Sequence, residues 1–467
     1  MHDTVIRNGT VVTPEYTFEG DVGIDDGTIT SIGRPHELAG EAVQDATGQL
    51  VFPGFVDSHV HVNLALGEFT TNDSFAAATA AAARGGTTTI VPFAIPDADE
   101  SLLDAFERRQ AEAAGNAYVD YGLHGCVTRA SERALSELPH LIDRGAASIK
   151  LFTVYRDRLM LTHGEIRDVF EVVAAHGGLC LVHAEDEAII AHLIDRQKRH
   201  GVLDYSVHGT THPDVSESTA MWTIADLVGE TCCPTFFVHV STGRARQVLE
   251  SAQRRNLPLL AETCPHYLTL TEDVYDRRDG ERFVCSPPVR DVTSRDALWS
   301  MLDDGLLQTV NSDHCGYDTE QKRRHRGDVT RMPNGLPGVE TRNTVLYSEG
   351  VTTGRLSLSE FVRLTSTNIA RMLGLYPRKG SVAIGSDADL VVFDPDAEWT
   401  VDGSTLQQAS DYSPFDGFEV RGRPRVTLVR GEPIVEEGTL VGAPDHGAFL
   451  PTSGVDALDL FSRWPRP

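Results

Sequence analysis

The chain has 467 residues, enough for one large domain plus a small one. Its formal net charge of −27 at pH 7 repels phosphate backbones, and no basic stripe offsets it, which sets nucleic acid aside as a partner. No apolar run approaches the roughly 18–20 residues that span a bilayer, so a membrane is set aside too. The opening MHDTVIRNGT lacks the charged and apolar regions of a signal peptide, and the seven cysteines contain no CxxC. Reduced thiols in a cytoplasmic protein follow as the expectation. Among the cations only Lys150, Lys198, Lys322 and Lys379 are lysines.

Residues 1 to about 52 alternate short β patterns with turn signals, and the dipeptides Asn8-Gly9 and Asp26-Gly27 predict two hairpin turns. From Pro53 the texture becomes apolar strand, loop, helix, repeated. Eight strands are predicted: Gly54–Val62, Thr87–Ile95, Tyr121–Val127, Ser148–Tyr155, Gly178–Ala184, Thr235–Ser241, Pro258–Thr263 and Leu307–Ser312. Helical patterns fall between them, for example SFAAATAAAARGG and THGEIRDVFEVVAAHGG, the second opened by a Thr162/Glu165 capping box. A second β-rich block begins near Gly380 with SVAIGSDADLVVFDP.

The expected fold is α/β, a (β/α)8 TIM barrel with a small β-sandwich built from both ends of the chain. The expected division is 1–52 and 378–467 for the sandwich and C-terminal tail, with 53–377 for the barrel. An open doubly wound sheet is disfavoured, because no glycine-rich phosphate turn follows the first strand.

The first strand ends in PGFVDSHVHV, which places His59 and His61 two residues apart. Side chains at that spacing share a face, about 7 Å apart, and can aim two imidazoles at one metal. An isolated pair reads more simply as two partly exposed histidines. Four more residues at strand ends change the balance: Lys150, His183, His239 and Asp313. Strand C-termini carry the active site in such barrels, and this inventory suits two divalent metals better than one. Lys150 sits in apolar SIKLF, where a charged amine is costly. A neutral amine there can take up CO₂ as a carbamate that bridges two cations; a lysine salt-bridged to Asp313 is the competing reading.

The order His-x-His, Lys, His, His, Asp resembles the binuclear amidohydrolase superfamily, and more narrowly its cyclic amidases, the dihydropyrimidinases and bacterial D-hydantoinases. Segments such as GGTTTIVPFAI, SIKLFTVY, LVHAED, AETCPHYL, CSPPVR and GDVTRMPNGLPGVETR extend the resemblance nearly end to end. It implies a hydrolase opening a 5-substituted hydantoin or a dihydropyrimidine to an N-carbamoyl amino acid. It implies His59 and His61 on one metal, His183 and His239 on the other, carbamylated Lys150 as bridge and Asp313 on the first. The implied metal is zinc, and the implied assembly a homo-oligomer, a dimer or tetramer.

Asp313 takes the implied role of proton carrier, and Tyr155, five residues beyond Lys150, that of oxyanion donor. Ser286 and Asn334 match positions that hold the ring's –CO–NH–CO– edge. Apolar Leu64, Leu66 and Phe69 after the first strand and Leu159 after the fourth are expected to line the pocket for an exocyclic group. Dihydroorotases commonly carry an arginine shortly after His-x-His; this chain has Asn63, Leu64 and Leu66. Asn63 and Gly316 depart from the hydantoinase pattern, which bears on substrate rather than on chemistry. Allantoinase is the alternative enzyme, and a non-catalytic dihydropyrimidinase-like scaffold the alternative of another class. The remaining histidines read as packing or support: His124 hydrogen-bonded, His266 and His314 bracing the site, His208 and His212 in a loop, solvated or structural. Cys285 and Cys315 show no pattern of a nucleophile.

Overall fold

A computed structural model describes residues 1–454. Eight parallel strands form the barrel: Phe55–Val60, Thr87–Ala94, a third in two pieces (Asp120–Tyr121 and His124–Cys126), Ser148–Phe152, Leu179–His183, Thr235–Phe237, Leu259–Thr263 and Thr309–Val310. The third breaks where the C-terminal segment runs beside it: Tyr121 donates to the Ala448 carbonyl at 3.0 Å and accepts from the Leu450 amide at 2.7 Å.

Closure between the eighth and first strands uses side chains as much as backbone. Asn311 Oδ1 accepts from the Ser58 amide at 3.0 Å, and Asp57 Oδ1 from the Ser312 amide at 3.2 Å. The buried Arg342 guanidinium bridges the same seam, donating to the Val56 carbonyl at 2.7 Å and the Val310 carbonyl at 3.4 Å. Five donors in a planar fork suit a site where two strands lack a continuous ladder.

Strand alternation sorts the core into layers. Ile149, Leu151, Cys180 and Val182 pack outward against helices such as His163–Ala175, whereas Leu179, Leu181, Phe236 and Leu260 fill the interior with Val56 and Phe93. The Thr162/Glu165 capping box is present, satisfying the orphan amides that open the helix.

Both chain ends join in one branched nine-stranded sheet. Leu50–Pro53 lies between His2–Val12 and Leu390–Thr400, pairing parallel with the first and antiparallel with the second. The sheet leads straight into the first barrel strand through Gly54, where a Cβ would collide with the Thr88 side chain. Phe52, Phe55, Phe361 and Phe393 pack around that joint, with Phe52 5.4–5.5 Å from each of the others.

Asp26-Gly27 forms the predicted hairpin turn, both residues at positive φ. Asn8-Gly9 does not. It is a bulge inside the strand His2–Val12, with Asn8 at φ 61° and its amide donating to Asp21 Oδ1 at 2.9 Å. An Asn-Gly pair supplies positive φ in either setting, so the dipeptide alone does not separate a turn from a bulge. No helix among the described residues is long and apolar enough to cross a membrane.

Candidate active site

The C-terminal ends of the strands surround a cavity of about 530 Å³. His59, His61, Lys150, His183, His239 and Asp313 all reach it, as do Tyr155, Ser286, Asn334, Leu66, Phe69 and Leu159. Leu64 does not line it: this side chain packs in the core with Val56, Val91 and Phe93, so its place among the pocket residues is corrected.

His59 Nε2 and His61 Nε2 lie 3.1 and 3.2 Å from one oxygen of Asp313, and one donor atom from each of the three residues falls within 4.8 Å of the others. His239 stands 5.3 Å from His59 and 4.4 Å from His183, ring centre to ring centre. Strict alternation would turn His239 outward, since Phe237 faces the helices. The strand ends at Phe237, and His239 adopts φ 43°, which brings its side chain back to the mouth. Asp313 and Tyr155 are also left-handed, at φ 47° and 71°. Positive φ is costly for residues with a Cβ and concentrates at functional sites.

Burial lowers the basicity of His59, His61 and His239, so these imidazoles are neutral and free to bind a cation. Burial raises the Asp313 carboxyl, but the surrounding His59, His61 and His239 act the other way, and on balance it lies below the usual carboxylate range. Lys150 is buried, with Nζ 5.2 Å from the Phe93 ring and 5.0 Å from the Phe152 ring. Burial brings its amine down to about 8, against the pull of Asp313 and Glu262. Asp313 pairs with the two histidines, and no ion pair joins it to Lys150 among the described residues.

Two carboxyl groups that sequence reasoning left unassigned orient the imidazoles. Glu262 pairs with His59 Nδ1, accepts from the His239 amide at 3.0 Å, and takes a further bond from Asn311. Burial pushes Glu262 up to about 8. Glu185 Oε2 lies 2.8 Å from His183 Nε2, which leaves Nδ1 of that ring for another partner. The signals that would have found them are a carboxylate inside the apolar run LLAET for Glu262 and a two-residue spacing from His183 for Glu185.

His314 braces the seam as expected: Nε2 lies 3.1 Å from Asp73 Oδ2, and Nδ1 accepts from the Gly338 amide at 3.0 Å. His124 is held by Ser148 Oγ at 2.5 Å and the Ser58 carbonyl at 2.8 Å. His266 is buried beside Tyr267. His208 and His212 are not solvated: both are buried, His208 on the Cys285 carbonyl at 2.6 Å and His212 at the cavity wall. A further wall, absent from the sequence reading, is the face of helix Glu187–His200 that carries Ile190 and Ile194.

The donor set fits divalent cations. His61 Nδ1 and His239 Nδ1 are buried without a hydrogen-bond partner among the described residues, near the Asp313 carboxylate. Buried polar atoms ordinarily find partners, so two such nitrogens in one cluster mark a site shaped for a ligand. Ser286 Oγ and Asn334 Oδ1 are likewise buried and unpartnered.

The family model described as Amidohydrolase family matches residues 50–434. The D-hydantoinase of Geobacillus stearothermophilus is 38% identical over 458 residues, spanning 97% of each chain. The D-hydantoinase of Rhizobium radiobacter is 40% identical over 450 residues, 96% of this chain and 98% of its own. The crystal structure of dihydropyrimidinase from Brevibacillus agri NCHU1002 superimposes with a TM-score of 0.95 at 37% identity, covering 97% of this chain and 99% of that one. By its length of match and its barrel alike, this chain belongs to the amidohydrolase family, on the branch of the D-hydantoinases and dihydropyrimidinases.

Proposed function

We propose that this chain is a two-metal cyclic amidase that opens a 5-substituted hydantoin or a dihydropyrimidine to the N-carbamoyl amino acid. The observation that carries the reading is the convergence of four imidazoles, Asp313 and a buried lysine on one cavity. His59, His61 and Asp313 would hold one cation, and His183 and His239 the other, with zinc as the metal. Lys150 would bridge them after its Nζ adds to CO₂ and loses a proton, giving an anionic carbamate; its apolar surroundings favour the neutral amine that this reaction needs. When bound, the ions supply an attacking water of lowered pKa and a positive field over the ring carbonyl.

The protein's own groups do the rest. Ionised Asp313 accepts the proton of the attacking water and returns it to the leaving ring nitrogen. Burial raises the Tyr155 hydroxyl, so it stays protonated and donates to the developing oxyanion. Ser286 and Asn334 hold the –CO–NH–CO– edge. The same reading extends to the division at residues 52 and 377 and to a dimer or tetramer. Val215 and Trp222, exposed seven residues apart on helix Asp214–Thr231, offer an apolar strip for such contact. Cytoplasmic placement accords with seven free cysteines, six of them buried.

Hydrolysis assays on dihydrouracil, alkyl and aryl hydantoins and allantoin, run beside Lys150→Ala, test the function. The wild type should turn over hydantoins or dihydrouracil faster than allantoin. Lys150→Ala should lose metal and activity together, with part of both restored by short carboxylic acids that replace the carbamate. Full metal content and normal turnover in the variant would remove the bridge from the mechanism, and a preference for allantoin would reassign the substrate.

A further inference from the structure

The cavity is much larger than a five- or six-membered ring needs, so the part of the substrate outside the ring contributes to recognition. Part of its lining is apolar, with Leu66, Phe69 and Leu159. Its mouth carries three exposed cations, and two of them are already paired. Arg331 lies 3.2 Å from Glu68, and Lys198 lies 3.9 Å from Asp195. Arg158 forms no ion pair among the described residues, although it lines the same cavity.

Its backbone is placed by the site itself. The Tyr155 carbonyl accepts from the amides of Arg158, Leu159 and Met160 at 3.1, 3.0 and 3.2 Å, so one turn places both the oxyanion donor and the arginine. The guanidinium rests against Gly67 on the facing loop: a Cβ at Gly67 would stand 3.4 Å from its terminal nitrogen. A side chain there would be in ordinary contact with the arginine, and it is the positive φ of 75° that favours glycine at this position. A planar fork of donors lining the same cavity as Leu66, Phe69 and Leu159 matches a carboxylate on a short chain. The overall charge of −27 disfavours an anion at long range, and at physiological salt that field fades beyond about 8 Å, leaving the nearby cation to decide.

Resting on the cyclic amidase reading, we propose that Arg158 is a specificity residue that binds an anionic group at the end of the ring's exocyclic arm. The favoured substrates are then cyclic amides of acidic amino acids, whose arm crosses Leu159 and ends on the guanidinium.

The test compares kcat/KM for the hydantoin bearing a carboxyethyl arm with that for its carboxamide isostere. The neutral isostere reports any general damage to the loop, so the acid-to-amide ratio isolates the charge. Wild type should favour the acid, and this preference should weaken as ionic strength rises. Arg158→Gln should lower the ratio about tenfold, mostly through KM, and Arg158→Lys should restore part of it. A ratio unchanged in Arg158→Gln, with both rings still opened, would overturn the proposal and leave the cyclic amidase reading standing. Failure of the wild type to open either hydantoin or dihydrouracil would overturn both.

Discussion

At the scale of single residues, the site works by keeping each group in the protonation state its role requires. Burial lowers the basicity of His59, His61 and His239, and Asp313 beside them lies below the usual carboxylate range despite burial. Burial also keeps the Tyr155 hydroxyl protonated, which a donor to an oxyanion needs. Its ring lies 5.4 Å from that of His183, within the histidine cluster. Tyr155→Phe keeps the ring and removes one donor, so kcat should fall by about 10²–10³ while KM moves little. Steady-state kinetics with metal content measured on the same sample checks it. An unchanged kcat on every accepted substrate would make Tyr155 a packing aromatic.

At the scale of elements, the apolar runs and their spacing made the eight strands legible, and strand ends made the ligand candidates legible. The left-handed turn at His239 was not legible, because alternation from Phe236 and Phe237 points the other way and nothing local in FFVHVS signals the reversal. Leu64 was misassigned for a related reason. The two short strands Ala65–Leu66 and Phe69–Thr70 fold the loop back, turning Leu66 and Phe69 to the cavity and Leu64 to the core. Helix Glu187–His200 was invisible as a wall, since a helix face bordering a cavity has the same apolar spacing as one packed on a sheet. Within this frame Leu159 belongs to the rigid Tyr155 turn and contacts the substrate's arm by the proposed reading. Leu159→Ala should shift kcat/KM among alkyl and aryl hydantoins by about 10–200-fold with metal content intact. Equal losses on all of them would assign Leu159 to holding the turn.

At the scale of the whole molecule, the barrel and the sheet of the chain ends are joined by a buried charge network as well as by Phe52 and Phe393. Lys379 Nζ lies 2.7 Å from Asp120 on the third barrel strand, 2.7 Å from Asp389 beside the outer sheet and 3.0 Å from Asp387. Arg430 adds a second cation on Asp120. Three carboxylates within reach of one another could suggest a metal site, but the ammonium at their centre already serves them.

Burial disfavours charged Lys379, yet its three aspartates outweigh that and raise its pKa; burial raises Asp389, while Asp120 is lowered by Lys379 and Arg430 against burial. Replacing the lysine with methionine keeps volume and leaves the carboxylates short of a cation. Breaking a buried pair from one side costs about 3–5 kcal/mol. The cost depends on pH with a definite sign. In the wild type, the lowered Asp120 contributes stability above the ordinary carboxylate range and loses it as pH falls. In Lys379→Met, burial with less compensation raises Asp389, so stability is greater at low pH and is lost as pH rises. Between pH 8 and pH 5 only the second effect acts, and it narrows the gap between the proteins on acidification. Urea midpoints at pH 8 and pH 5 should therefore differ more between wild type and Lys379→Met at pH 8. A gap that stays constant would mean that the methionine variant relaxes to hydrate these carboxylates, and that the aromatic packing around Phe52 alone holds sheet to barrel.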